Sequence, residues 1–324
     1  MIAILGILSG CHTTSANTGV TGQKRMDMYA ECTKAMNAIL QDDIDVSRSD
    51  VKKSQMVHYY GSVAKPKEIF GDETVELMAF YQAQETVAPG ACFMMRELMS
   101  SWQSYALEHS WTMPDGFQVI KPVLQKVDAK IEIDEIGHTC LGYRYEANIG
   151  SERGLSIGAD VTHACDSLLV RELVRRCNYD REQLTQVSDI LFTSRFSVKT
   201  GTEIPRMEQM TINHSFLSLR GVDFITDESV LEYSLDYRHE LYLLIEETLN
   251  RPSFQVLTIH DCFLSHPNYC NEVREVYCDL LVELADSSVG QQIIREVRND
   301  PNYQLEKLST NLGSEILKGE YHLS

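Results

Sequence analysis

Arg48, Lys52, Met56 and Tyr60 recur at intervals of four residues in a stretch that ends at Gly61. An α-helix advances about 100° per residue, so each step of four drifts by only ~40°, and the four side chains share a face about 120° wide. Ser47, three residues ahead of Asp50, fits a capping box, and Gly61 is a natural stop, so the pattern predicts a helix over residues 47–60. Its two cations sit near the N-terminal end, where the helix dipole favours anions. A triphosphate could lie along that face, with Tyr60 and Gly61 a helix length away where a sugar and base would be. An amphipathic surface helix has the same spacing, and the spacing alone leaves that alternative open.

Helical periodicity recurs along the chain. Residues 26–40, 72–83, 91–109, 160–178 and 268–285 read as helices, and residues 227–250 as a long one capped by Thr226. Residues 140–148 alternate and are rich in β-formers, and Pro114-Asp115-Gly116 reads as a tight turn. The expectation is a mostly helical α+β chain.

With 43% hydrophobic and 23% charged residues among 324, a sizeable core is expected, and no apolar run is long enough to span a bilayer. The formal net charge is −18, which counts against a free-standing nucleic-acid binder. The cations are clustered, however: Arg48, Lys52, Lys53, Lys65 and Lys67 in one stretch, and Arg171, Arg175, Arg176 and Arg181 in another. The plain reading of both is a solvated helix face. Nine cysteines without a C-x-x-C pair suit a reducing compartment and argue against a zinc ribbon.

Three local patterns imitate motifs. Leu8-Ser9-Gly10-Cys11 resembles a lipoprotein cleavage box, but no basic region precedes it, and the apolar first eleven residues, Met1 to Cys11, read as a short buried helix. Gly19-Val20-Thr21-Gly22-Gln23-Lys24 lacks the Gly-Lys-Ser/Thr core of a phosphate loop. Gly154-Leu155-Ser156-Ile157-Gly158 matches a nucleophile elbow but follows turn-like residues instead of a strand.

A second chemical feature lies near the C-terminal end. Phe254 to Ile259 reads as a short apolar strand, His260-Asp261 as an acidic turn, and Cys262-Phe263-Leu264 as a returning strand. A carboxylate at such a turn can present oxygens to Mg²⁺, and two-metal catalysis uses carboxylates of this kind to hold its ions.

Together these two pieces resemble the single-subunit RNA polymerases of the phage T-seven type, which share a right-hand fold with family A DNA polymerases. Arg48-Ser49-Asp50-Val51-Lys52-Lys53-Ser54 through Tyr60-Gly61-Ser62 is similar to the family's motif B, and Ile259-His260-Asp261-Cys262-Phe263 to its motif C. Weaker similarities lie in Met28-Tyr29, in Trp111-Thr112-Met113-Pro114-Asp115-Gly116-Phe117, and in the ending from Ile316-Leu317 to Tyr321-His322-Leu323-Ser324, which resembles the family's aromatic C-terminal foot near the active site. The resemblance implies that Arg48 and Lys52 bind the triphosphate of an incoming rNTP. It implies that Met56 faces the nucleotide, that Tyr60 closes on it and senses the 2′-hydroxyl, and that Gly61 lets the DNA template backbone pass close. Asp261 would hold catalytic Mg²⁺, and His260 would support the end of the nascent RNA. Family A DNA polymerases usually carry an aromatic residue where Met56 stands and Glu where Cys262 stands, so both positions favour RNA synthesis.

The resemblance also implies a division into a palm-connecting segment over residues 1–23, fingers over 24–168, and a C-terminal palm over 169–324. The palm would contain an insertion at about 178–250, the motif C hairpin at about 254–265, and the foot. Two departures stand out. Leu169 falls where the family has a histidine contacting the growing end, with His163 nearby. Motif A, which supplies the first catalytic Asp in a D-G-S/T-x-S-G-x-Q context, does not occur in this sequence. The arrangement resembles the split polymerase of N-four-type phages, in which a second subunit carries motif A. The expectation is thus one subunit of a heteromeric DNA-directed RNA polymerase working in the cytoplasm of an infected host cell, without a membrane. A family A-like DNA polymerase fragment and a non-catalytic protein of polymerase shape are the alternatives.

Overall fold

The computed structural model describes residues 1–40, 44–151, 154, 156–259 and 262–322. In chain order the helices α1 (Ile2–Leu8), α2 (His12–Asn17), α3 (Met28–Leu40), α4 (Arg48–His58), α5 (Ala64–Phe70), α6 (Val75–Val87) and α7 (Pro89–Ser101) come first. Two antiparallel hairpins follow: β1 (Glu108–Thr112) with β2 (Gln118–Pro122), then β3 (Leu124–Ile133) with β4 (Thr139–Gly150). After them run α8 (Ile157–Cys177), α9 (Arg181–Ser194), α10 (Arg206–His214) and α11 (Leu235–Leu249). A third hairpin pairs β5 (Leu257–Ile259) with β6 (Cys262–Leu264), and α12 (Cys270–Asp286), α13 (Val289–Arg298) and α14 (Leu312–Ile316) complete the described chain. The result is a mostly helical α+β chain with small antiparallel sheets. No helix among the described residues is long and apolar enough to cross a membrane.

The apolar residues make two cores. The larger gathers Leu5 and Leu8 of α1, Met94 and Leu98 of α7, Leu168 and Leu173 of α8, Leu280 and Leu284 of α12 and Ile293 of α13. α1 is therefore the short buried helix the sequence predicts. Cys11 caps α2, its Sγ accepting from the Thr14 amide at 3.5 Å. Gly10 sits at φ +68°, and a Cβ there would lie 2.3 Å from the Ser309 carbonyl oxygen, so this turn requires glycine. The lipoprotein-like box is thus a packed turn in the main core. The smaller core comprises Leu184, Val187 and Leu191 of α9, Val222, and Tyr237, Leu241 and Ile245 of α11. It falls wholly within the stretch expected as an insertion.

Several expected boundaries move. The long helix over 227–250 starts only at Leu235, because the Ser234 side chain accepts from the Tyr237 amide and resets the N-terminus. Upstream, Thr226 and Ser229 bond each other in a turn, and Val230–Glu232 is a 3₁₀ turn. The helix over 91–109 ends at Ser101, and residues 108–112 turn into β1. The strand over 254–259 shortens to Leu257–Ile259, because the Phe254 amide leaves the ladder to donate to the Cys177 carbonyl and its ring stacks on Tyr269.

The arginine cluster of α8 is a larger correction. Asp115 is fully buried and accepts from Arg171 at 2.6 Å and from Arg175 at 3.1 Å. Arg176 is buried as well, and grips Glu283 of α12 in a two-pronged pair at 2.5 and 2.7 Å. Glu172 accepts from the Ser218 hydroxyl and the Leu219 amide. Expected as a solvated face, this side of α8 is a knot that ties the Pro114-Asp115-Gly116 turn, the smaller core and α12 together. The partners come from distant sequence, so local charge spacing carried no sign of them. Burial alone would raise Asp115, but the two guanidiniums hold its carboxyl below the ordinary value. Asp160, in the first turn of α8, pairs with Lys121 of β2 at 3.0 Å.

Candidate functional site

The site is built on α4. Ser47 accepts from the Asp50 amide at 3.2 Å and donates to its carboxylate at 2.8 Å, which fixes the start of the helix. At the other end Gly61 takes φ +84°, and its amide donates to the His58 carbonyl at 2.9 Å. Val51, Ser54, Gln55 and Tyr59 form the buried face. A polar pin sets its rotation: Gln55 and the Tyr59 hydroxyl both donate to Gln84 Oε1 of α6, at 2.9 and 3.2 Å, while Gln84 Nε2 donates to Cys32 of α3. The opposite face is forced outward, so Arg48, Lys52, Met56 and Tyr60 are all exposed, the last two at 51% and 46%.

Other elements bring further groups to this face. Arg48 donates twice to Asp27 Oδ2, at 2.9 and 2.5 Å, while Asp27 Oδ1 caps α3 by accepting from the Tyr29 and Ala30 amides. Burial works to raise Asp27, but the bond from Arg48 and the backbone donors leave it below its ordinary value. The Arg48 guanidinium and the Lys52 ammonium each lie 5.6 Å from the centroid of the Tyr29 ring. Burial first, and then the charge of Asp27, raises the Tyr29 phenol. Among the described residues Lys52 has no carboxylate within ion-pair distance. Among the described residues the face therefore offers one cation in an ion pair, Arg48, and one outside any, Lys52, both beside an aromatic ring.

At its far end the Tyr60 ring lies 5.8 Å from the ring of His163 on α8. Leu169, at the position where the family histidine was expected, is buried in the main core and faces no such site. The C-terminal segment also approaches. A Cβ at Gly19 would lie 3.8 Å from the Tyr321 carbonyl oxygen and 3.9 Å from the Met26 amide nitrogen, and the Glu320 amide donates to Gly22. The C-terminal segment thus lies against residues 19–26, which lead into Asp27 and α3. Asp27 and Tyr29 had no assigned role in the sequence reading. An Asp just ahead of a helical run is the signal of an N-cap, and that signal could have found the first.

The second expected piece is described only in part. Ile259 pairs with Cys262 in the β5–β6 hairpin, while His260 and Asp261 lie outside the described residues. Leu257, Ile259 and Leu264 are exposed, and Phe263 alone turns inward against Tyr277. Among the described residues neither strand has a second neighbour. Behind α4, His58, Tyr81, Gln84, Cys92, Met95 and Arg96 are among the lining of an apolar cavity of about 460 Å³. Burial pushes the His58 imidazole down to about 4. Only one group of metal-ligating side chains, Glu132, Asp134 and His138, occurs among the described residues, exposed at the tip of the β3–β4 hairpin and away from both motifs in the chain.

No protein-family model matches the chain, and no curated protein matches it in sequence.

Proposed function

We propose that this chain is the motif B and motif C subunit of a heteromeric, phage-type DNA-directed RNA polymerase with a right-hand fold. The observation that carries the reading is the α4 face, where Arg48, Lys52 and Tyr60 stand outward in a row beside Tyr29, His163 and the approach of the C-terminal foot. Polyphosphate recognition needs cations at a helix N-terminal end that are not locked into buried ion pairs. Lys52 meets that requirement, and Arg48 is held only by an exposed pair, worth about 0–1 kcal/mol, that a triphosphate can displace. Tyr60, a helix length away, is positioned to close on the sugar, with His163 against its ring.

The open β5–β6 hairpin supports the need for a second chain. Two short apolar strands with exposed side chains are marginal in water and call for another strand or surface. In this reading the partner brings the D-G-S/T-x-S-G stretch and its Asp. Mg²⁺, held by Asp261 together with the partner's carboxylate, would activate the attacking 3′-hydroxyl and stabilise the departing pyrophosphate. The chain's own residues bind the triphosphate, select the ribose and leave room at Gly61 for the template.

The test is Asp261→Asn in the assembled two-chain complex, assayed for rNTP incorporation on a DNA template. Turnover should fall by several orders of magnitude while the circular dichroism and the association of the chains are retained. Near-normal synthesis by a folded variant complex would refute the assignment.

A further inference from the structure

The turn Pro114-Asp115-Gly116-Phe117 collects arginines from three parts of the chain. Arg171 and Arg175 of α8 grip the buried Asp115 carboxylate. Arg206, the first residue of α10, donates to the Gly116 carbonyl at 3.0 Å. Arg220, in the 3₁₀ run Leu219–Phe224, donates to the Asp115 carbonyl at 2.7 Å. Gly116 takes φ +74°, and a Cβ there would lie 3.7 Å from Arg220 Nη1 and 3.8 Å from Arg206 Nη2, so the two guanidiniums meet over the turn. Aromatic rings are interleaved with them. The Arg171 guanidinium lies 4.6 Å from the centroid of the Phe117 ring and that of Arg220 lies 5.8 Å from Phe224, and the two rings are 49% and 41% exposed.

The charges at this turn do not cancel. Asp115 and Glu172, both buried, answer Arg171 and Arg175. Among the described residues Arg206 and Arg220 have no carboxylate within ion-pair distance. Asp180 and Asp223 line a small cleft with Arg175 and Arg220 but lie beyond that distance. Two cations are therefore left for an outside anion, in a chain whose net charge is −18. The cleft holds only about 160 Å³, well under the roughly 300–1,000 Å³ of a small-molecule site. The anion must then lie across the surface instead of entering a pocket. Spare guanidiniums beside exposed rings suit a strand whose phosphates meet the cations and whose unpaired bases have faces to stack. A duplex keeps those faces inside its own stack, and an acidic peptide has none.

We infer that the Gly116 turn is a contact for single-stranded nucleic acid, with Arg206 and Arg220 on the phosphates and Phe117 and Phe224 as stacking platforms for unpaired bases. The contact lies outside both polymerase motifs in the chain. It rests on the polymerase reading only for the identity of the strand, template or transcript. The net negative charge keeps binding weak in salt, so the contact acts as one holding point along a strand and not as a free-standing binding site.

The experiment titrates the full chain into a fluorescently labelled oligothymidine at low and then rising salt and reads anisotropy. Arg206→Glu, on an exposed side chain, and Arg220→Gln should each weaken binding at least fivefold. The double variant should flatten the slope of log affinity against log salt by about 1–2. Phe117→Ala should weaken binding at least fivefold, and Phe117→Trp should keep it. Lys130→Glu, an exposed cation on β3, should change nothing. An oligonucleotide carrying 5-iodouridine should photo-crosslink the wild-type chain at Phe117 or Phe224, a readout that needs no variant to fold. Wild-type affinity in both arginine variants, with crosslinks elsewhere, would overturn the assignment. So would an equal loss in Lys130→Glu, which would reduce the effect to net charge. Tighter binding of a duplex of the same length, or displacement by polyglutamate as effective as by unlabelled oligothymidine, would overturn it in favour of those partners. The expected losses in a chain whose two-subunit complex makes no RNA would refute the polymerase reading and leave the strand contact standing.

Discussion

The ring of Tyr60 meets the ring of His163 at 5.8 Å between centroids and an angle of 52°. A Cβ on Gly158, in the first turn of α8, would lie 2.2 Å from Met95 Sδ of α7 and 3.7 Å from the Tyr59 carbonyl oxygen at the end of α4, so α8 starts close against both. His163 follows one and a half turns later and arrives at the tyrosine.

Tyr60→Phe keeps this ring contact and removes the hydroxyl. If that hydroxyl bonds the 2′-hydroxyl of an incoming ribonucleotide, its loss removes about 1–3 kcal/mol, or on the order of 10- to 100-fold in preference for ribo- over deoxynucleotides. Competitive incorporation of the two nucleotide types by the assembled variant measures it. Unchanged sugar preference with full activity would assign Tyr60 another task.

Asp115→Asn should be costly in stability. The carboxylate is fully buried between Arg171 and Arg175. Removing one partner of a buried pair typically costs about 3–5 kcal/mol, and the arginines, about a quarter exposed, recover part of that in water. A loss of about 3 kcal/mol in unfolding free energy is expected from urea titration. A change under about 1 kcal/mol would mean that the knot is not a structural anchor.

His58 gives the chain an acid sensitivity. Its ordinary value is 6.5, and burial lowers it to about 4 in the folded state. The unfolded chain therefore binds a proton below pH 6.5 while the folded chain does not. Stability is unaffected above 6.5 and falls as pH drops from 6.5 towards 4, by on the order of 3 kcal/mol for this group. His58→Gln should be less stable throughout, since it loses ring contacts to Phe80 and Tyr81, but should lose this part of the pH slope. Parallel stability-versus-pH curves for wild type and variant would contradict the assignment.

The local parts of the site were legible because their determinants are local. The cap at Ser47, the stop at Gly61 and the four-residue spacing all lie within one helix, and the structure returns that helix within two residues of its expected ends. The start of α11 was less so, because two residues able to cap lie eight apart: Ser234, and not Thr226, sets it. What the sequence could not supply is anything decided by distant partners. Asp115 and Glu283 turn an apparently solvated arginine face into a buried knot, and His163 reaches Tyr60 from a helix about 100 residues further along the chain. The β3–β4 ribbon was half seen, as an alternating stretch over residues 140–148. Its first strand was missed although Lys126, Asp128, Lys130 and Glu132 alternate with Val127, Ala129, Ile131 and Ile133 in the same two-residue period.

The most direct measurement of the central claim is RNA synthesis from rNTPs and Mg²⁺ on a DNA template, by the purified 324-residue chain alone and by the same chain co-purified with the polypeptide that bears the D-G-S/T-x-S-G stretch. The account predicts no RNA from the chain alone and template-dependent RNA from the pair, since two Mg²⁺ ions about 3.5–4 Å apart need more than one carboxylate to hold them. Robust synthesis by the isolated chain, free of any second polypeptide, would contradict it.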